Sequence, residues 1–265
     1  MLAFPNVKIN LGLYITEKRA DNYHNLLTCF YPAPLNDILE IVPAARFEFV
    51  QTGLEIPGNQ EDNLVVKAYS LLQKEFDLPP VRIQLHKLVP MGAGLGGGSS
   101  DAAFTLSTLN TQFQLGLKEA QLEEYAAKLG SDCAFFIRNR PVVAKGRGEL
   151  MENCEVDLKG THLFMVCPGL HVSTADAYGG TKPSPYTGDF EGVLKDKSKW
   201  RNELHNQFED TIFPKHPTLA SIKEQLYALG AWYAAMSGSG STVFGLFEKE
   251  VTTHSFSYTT FQKGL

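Results

Sequence analysis

The chain has 265 residues, of which 43% are hydrophobic and 20% charged, with a net charge of −5. Such a composition fits a soluble globular protein of one large domain or two moderate ones. It argues against a nucleic-acid binder built on a basic surface, and no apolar run reaches the roughly 18 residues that a membrane span requires.

The first fifteen residues lack a basic start followed by a long apolar core, so no signal peptide is expected. Cys29, Cys133, Cys154 and Cys167 are scattered without CxxC spacing, which suits reduced thiols in the cytoplasm better than a metal site or a disulfide framework. From Val7 the residues alternate, with Val7, Ile9, Leu11 and Leu13 on one face and Lys8, Asn10 and Gly12 on the other. That is a strand period, and it puts Lys8 and Asn10 on the same side. Ala20–His24 reads as a turn, because Asp-Asn tolerates positive φ. Residues 37–43 and 46–50 read as further strands.

Asp62 is placed to cap a helix whose apolar stripe is Val65, Tyr69, Leu72 and Phe76, stopped by Leu78-Pro79-Pro80. Residues 81–89 then alternate, Val81, Ile83 and Leu85 inward against Arg82, Gln84 and His86. "PMGAGLGGGSSDAA" comes next, from Pro90 to Ala103, and leads into a good helix former with Ser99 or Ser100 at the N-cap. Residues 119–129 read as a helix burying Leu122, Ala126 and Leu129 and ending at Gly130. The pattern restarts near residue 150. Residues 161–169 form a strand ending in Pro-Gly, and 182–189 are a loop by composition. Leu204, Phe208 and Ile212 mark a helix before Pro214. Another starts at Pro217, with Leu219, Ile222, Leu226 and Leu229, and stops at Gly230. "MSGSGSTVFGLF" is a second glycine cluster leading into an apolar strand. Strands and helices mix without a strict βαβ rhythm, so the expected class is α+β.

The order strand, glycine-rich turn, Ser-Ser, helix suits the binding of a phosphate. Glycines let a ligand approach the backbone, and a helix start offers free N–H groups and a partial positive charge. The dipole alone supplies only ~0.3–1 kcal/mol when exposed, so several aimed N–H groups and hydroxyls must share the task. A P-loop would need Gly-Lys-Ser/Thr, and no lysine comes after the loop. Gly92, Gly94 and Gly97 formally satisfy GxGxxG. Some 90 residues precede them, however, and no acid ends a subsequent strand, so a nicotinamide or flavin enzyme is disfavoured.

"PMGAGLGGGSSDAA" resembles the P-x-x-x-G-L-[GS]-[GS]-S-S/A signature of the GHMP kinases (galactose, homoserine, mevalonate and phosphomevalonate kinases and their relatives). "PNVKINLGLYITEKRADNYHNLLTCF", "EDNLVVKA", "LGSDCAFFI" and "MSGSGSTVFG" are similar, in the same order, to segments of the branch that phosphorylates a cytidine-diphosphate-linked sugar alcohol. The R-x-D-x-Y-H element, Arg19 to His24, is the specific part. Two departures stand out: Asn22 replaces a usual Gly, and Gln207 replaces a usual Asp. The stretch after Glu250 has no match in the family pattern.

The resemblance implies a two-domain GHMP kinase fold. A ribosomal-protein-S5-like nucleotide domain would occupy residues 1–150, and a ferredoxin-like α+β substrate domain residues 151–265. It implies ATP as phosphoryl donor, with Mg2+ carried on its phosphates, since no His/Cys/Asp cluster marks a protein-built metal site. The phosphates would lie on Pro90, Met91, Gly92, Ala93, Gly94, Leu95, Gly96, Gly97, Gly98, Ser99 and Ser100, and the adenine near Asn63 and Leu64. Asp132 would act as base or orienting acceptor from a largely buried position, with Lys8 as its cation. Tyr23 and Tyr178 would sandwich the cytosine, and His24 would bond its edge. Asn10, Thr174, Gly238 and Ser239 complete the substrate side. Asp101 is read as a helix cap or a partner of the macrodipole. Partners are small molecules only, with neither nucleic acid nor membrane, and the chain is expected to be a monomer or weak homodimer.

Overall fold

The computed structural model describes residues 1–265. Its strands are β1 (Leu2–Ala3), β2 (Asn6–Lys18), β3 (His24–Asn36), β4 (Ile38–Pro43), β5 (Glu48–Gly53), β6 (Val81–Lys87), β7 (Val142–Lys145), β8 (Leu150–Asn153), β9 (His162–Cys167), β10 (Tyr233–Met236), β11 (Val243–Phe247) and β12 (Thr259–Gly264). The helices are α1 (Leu64–Phe76), α2 (Gly97–Gln112), α3 (Glu119–Leu129), α4 (Cys133–Arg138), α5 (Thr174–Gly179), α6 (Phe190–Lys195), α7 (Trp200–Glu203), α8 (Phe208–Lys215) and α9 (Pro217–Ala228). No helix is long and apolar enough to cross a membrane.

Two compact units interleave along the chain. The first comprises Met1–Val7, Leu35–Met91 and Gly96–Arg140; the second comprises Lys8–Pro34, Gly92–Leu95 and Pro141–Leu265. The first unit carries a sheet of order β1-β4-β6-β5, antiparallel except for the β5–β6 pair. Val81, Ile83 and Leu85 are fully buried, as their alternation predicts, while Arg82 is exposed. Helices α1 to α4 belong to this unit.

The second unit holds two sheets, β2-β3-β7-β8 and the antiparallel β10-β11-β9-β12. Its core gathers Leu13, Ile15 and Leu26 with Phe164, Val166, Phe208, Ile212, Leu219, Ile222, Leu226 and Phe247. The α+β class holds.

The cap positions differ from expectation in instructive ways. Helix α1 is capped by Asn63, whose Oδ1 accepts from Val65 N at 2.9 Å; Asp62 ends a short 3-10 turn. Helix α2 starts earlier than predicted, at Gly97, with Gly96 at the N-cap and φ of 71°. A serine would be strained there, so Ser99 and Ser100 lie inside the first turn. Leu204 closes α7 and does not belong to α8, which runs through Pro214. Asn22 takes φ of 65°, the left-handed value that glycine would supply, so the turn survives the substitution.

Candidate active site

In the second unit, strand β2 carries Lys8 and Asn10. Both are buried, at 4% and 1% exposure, so this face of β2 is as closed to solvent as the apolar one. Lys8 Nζ donates to Asn10 Oδ1 at 2.7 Å and to the Gly94 carbonyl at 3.2 Å, and lies 5.1 Å from the centre of the Phe30 ring. Asn10 Nδ2 in turn donates to Thr28 Oγ1 at 3.0 Å. A buried ammonium must be compensated, and here an amide oxygen, a carbonyl and an aromatic face surround it.

The loop segment Gly92–Leu95 is fastened on both sides. Lys8 N donates to the Leu95 carbonyl, and Thr242 N to the Ala93 carbonyl. Ser237 Oγ donates to the Gly94 carbonyl at 2.9 Å. Gly94 has φ of 77°, and a Cβ there would collide with the Ser237 carbonyl oxygen. The second glycine cluster is held in place by Asn206, a residue that sequence reasoning missed. It is fully buried, and its Nδ2 donates to the carbonyls of Met236 (2.6 Å) and Gly238 (2.9 Å). Gly238 and half-buried Ser239 therefore share one unit with Lys8, Asn10 and Gly92–Leu95.

The R-x-D-x-Y-H element builds a rigid turn in the same unit. Arg19 grips the Asp21 carboxylate through Nε and Nη2 at 3.1 and 2.9 Å, which holds that carboxyl below its usual range. Asp21 Oδ1 accepts from Tyr23 N. Tyr23 stands 56% exposed beneath the Arg147 guanidinium, 4.7 Å from its ring centre. The ring that Tyr178 stacks on is His24, with centres 4.9 Å apart and planes 24° off parallel. Phe208 meets Tyr178 edge-on at 4.8 Å. Burial, and secondarily Lys18, lower the His24 pKa, so its imidazole is neutral near pH 7. Thr174 opens α5 and is exposed. Gln207 supplies the acceptor that an Asp would give, taking Ile15 N at 2.7 Å on Oε1, and adds a donor to the Lys182 carbonyl.

In the first unit, a cavity of about 330 Å³ is walled by Phe49, Ile56, Pro57, Leu64 and Met91, with Asn63, Gly98 and Asp101 at its polar end. Half-buried Pro90 precedes it. At the first turn of α2, Ser100 is 1% exposed and its Oγ has no partner. Ser99 hydrogen-bonds the Cys133 thiol, which burial pushes up to about 11, with the Asp132 charge adding to the rise. Asp132 thus stands close to that thiol, at the start of α4. It is exposed to solvent along part of its surface, not largely buried as expected, and makes no side-chain cap bond although it occupies the N-cap.

Asp101 is not a cap. It pairs with fully buried Lys87 at 2.7 Å, and Lys87 also pairs with Asp37. Asp37 Oδ1 accepts from Leu88 N and Val89 N, tying the end of β6 to the first turn of α2. The signal was present: Lys87 continues the inward parity of Val81, Ile83 and Leu85, and a lysine on a buried face needs carboxylates. Lys8 falls in the second unit and Asp132 in the first.

Residues 63–140 match the GHMP kinases N terminal domain and residues 190–252 the GHMP kinases C terminal domain. The chain is 55% identical over 257 residues to a 4-diphosphocytidyl-2-C-methyl-D-erythritol kinase of Bacteroides thetaiotaomicron, covering 95% of this chain and 94% of that one. The chain belongs to the GHMP kinase family. A second relative of the same name, from Bacteroides fragilis, is 54% identical over 255 residues, covering 94% and 93%. Among solved structures, a 4-(cytidine 5'-diphospho)-2C-methyl-D-erythritol kinase superposes with a TM-score of 0.79 at 32% identity, covering 93% of this chain and 90% of the other. As a GHMP kinase the chain is a phosphotransferase of two-domain α+β fold whose phosphate donor is ATP. Its C-terminal match stops at Thr252, yet the chain beyond it forms β12.

Proposed function

We propose that this chain transfers the γ-phosphoryl group of ATP to the 2-hydroxyl of 4-diphosphocytidyl-2-C-methyl-D-erythritol, in non-mevalonate isoprenoid synthesis. The observation that carries the reading is the clamped Arg19–Asp21 turn, which presents exposed Tyr23 and sets His24 on Tyr178. A flat heteroaromatic ring suits such a cluster, and a neutral imidazole can bond its edge. The near full-length likeness to relatives bearing that substrate's name supports the same choice.

The adenine would occupy the cavity beside Asn63 and Leu64, and the triphosphate the glycine loop and the start of α2. Asp132 would accept the hydroxyl proton as that oxygen attacks the γ-phosphorus and the bond to the ADP oxygen breaks. Lys8 would stabilise the charge of the transferring group. Mg2+ would be held by the phosphates of the nucleotide. The orphaned Ser100 Oγ is the residue suited to reach it. The ion would neutralise phosphate charge.

The test is direct. Purified protein is given ATP with the cytidyl alcohol, homoserine or mevalonate, and ADP release and product mass are followed. Turnover with the cytidyl alcohol alone is expected. Turnover confined to homoserine or mevalonate, or none with any alcohol, overturns the reading.

A further inference from the structure

Two of the four cysteines meet. Cys29 Sγ and Cys154 Sγ lie 3.5 Å apart within the second unit, although 125 positions separate them in sequence. Cys29, in β3, is fully buried; Cys154, just after β8, is half-buried and so reachable from solvent. The remaining thiols each have a different partner, Cys133 bonding Ser99 and Cys167 lying 3.4 Å from Thr242 Oγ1.

We propose that Cys29 and Cys154 form an oxidisable dithiol, a modification site at which hydrogen peroxide converts the pair to an intrachain disulfide. The asymmetry of the pair assigns the order of events. Cys154 is half-buried and meets base and peroxide from solvent, whereas Cys29 is fully buried and its thiol is held up by its bond to Cys154 and by burial. The thiolate is the nucleophile, so Cys154 reacts first. Its sulfur attacks one peroxide oxygen, the O–O bond breaks, and the departing hydroxide takes up a proton as water, leaving a sulfenic acid. The Cys29 sulfur then attacks the Cys154 sulfur. The S–O bond breaks, hydroxide leaves with the Cys29 proton as a second water, and the S–S bond forms. Two thiols are oxidised and one peroxide is reduced.

Closing the sulfurs from 3.5 Å to a bond of ~2.05 Å requires a small local shift. Cys29 sits between Thr28, which accepts from Asn10, and Phe30, which faces Lys8. Alternation along β3 points the Cys29 side chain to the other face, so the disulfide would grip that strand from behind.

Full-length protein is treated with hydrogen peroxide, quenched with an alkylating agent, denatured and analysed by mass spectrometry without reduction. Two of the four thiols are expected to vanish, with a loss of roughly two daltons and a Cys29–Cys154 linked peptide, all reversed by dithiothreitol. Cys154→Ser should abolish the link, and Cys29→Ser should leave a sulfenic acid on Cys154 that a dimedone probe captures. Should either variant fail to fold, the wild-type mass and linked peptide decide alone. Four alkylatable thiols after treatment, or a link through Cys133 or Cys167, overturns the proposal.

Discussion

Among single residues, Asp132 makes the plainest demand. It stands at the N-cap of α4, where its side chain makes no cap bond. Asp132→Asn should lower kcat by ~10²–10⁴-fold, the usual worth of a positioned base, with little change in melting temperature or in KM for ATP. If Lys8 serves the same transfer, Lys8→Met and Asp132→Asn combined should cost far less than the product of their separate effects. Full additivity, read from kcat/KM of the four proteins, would separate the two roles. Asp101 makes a different demand, on stability. Burial raises its carboxyl to about 7; Lys87 opposes the rise and Asp37 adds to it. The folded state therefore keeps a proton that the unfolded chain releases near pH 4. That contribution to stability is complete below the window and is lost as pH climbs to about 7. Thermal melts should show wild type losing ground to Asp101→Asn across this range, and a difference independent of pH would contradict the assignment. Parity placed Lys8 beside Asn10 in the sequence alone. The Asp37–Lys87–Asp101 cluster was legible only by halves, since parity flags Lys87 but nothing local reveals which carboxylates reach it.

Elements were legible where one period dominates, as in β6 and α9, and less so where a conformation decides the boundary. Helix α2 begins at Gly97 because Gly96 can adopt a left-handed cap, which a rule favouring serine caps overlooks. Glycines with positive φ also divide by task. Gly94 needs both its φ and its bareness, because a Cβ would strike the Ser237 carbonyl. Gly116 has φ of 72° with open space around it. Gly94→Ala should therefore cut kcat/KM at least ~10-fold, since the loop carbonyl that Lys8 and Ser237 share must move. Gly116→Ala should cost only the ~1–2 kcal/mol of a left-handed alanine, with kinetics unchanged. Equal kinetic losses in the two variants would show that backbone strain alone, and not close packing of the two glycine clusters, governs the loop.

For the whole molecule, sequence periodicity names strands but not their partners, and the C-terminal stretch is where that gap matters most. Residues after Glu250 offered no pattern to read, and the family match ends at Thr252. Yet β12 pairs with β9 over six residues, from Thr259 opposite Cys167 to Gly264 opposite His162. Val251 and Phe256 pack on the core of the second unit, and the Leu265 backbone exchanges hydrogen bonds with Gly160 and Thr161. Without this stretch β9 becomes an edge strand with a free row of donors and acceptors, an invitation to intermolecular pairing. Deleting residues 251–265 should lower the melting temperature by more than about 5 °C, as the loss of a ladder and two apolar contacts implies for a chain of this size. Light scattering on heating should rise at a lower temperature as well. A truncated protein that melts and scatters like the full chain would mean that β12 covers the sheet without supporting it.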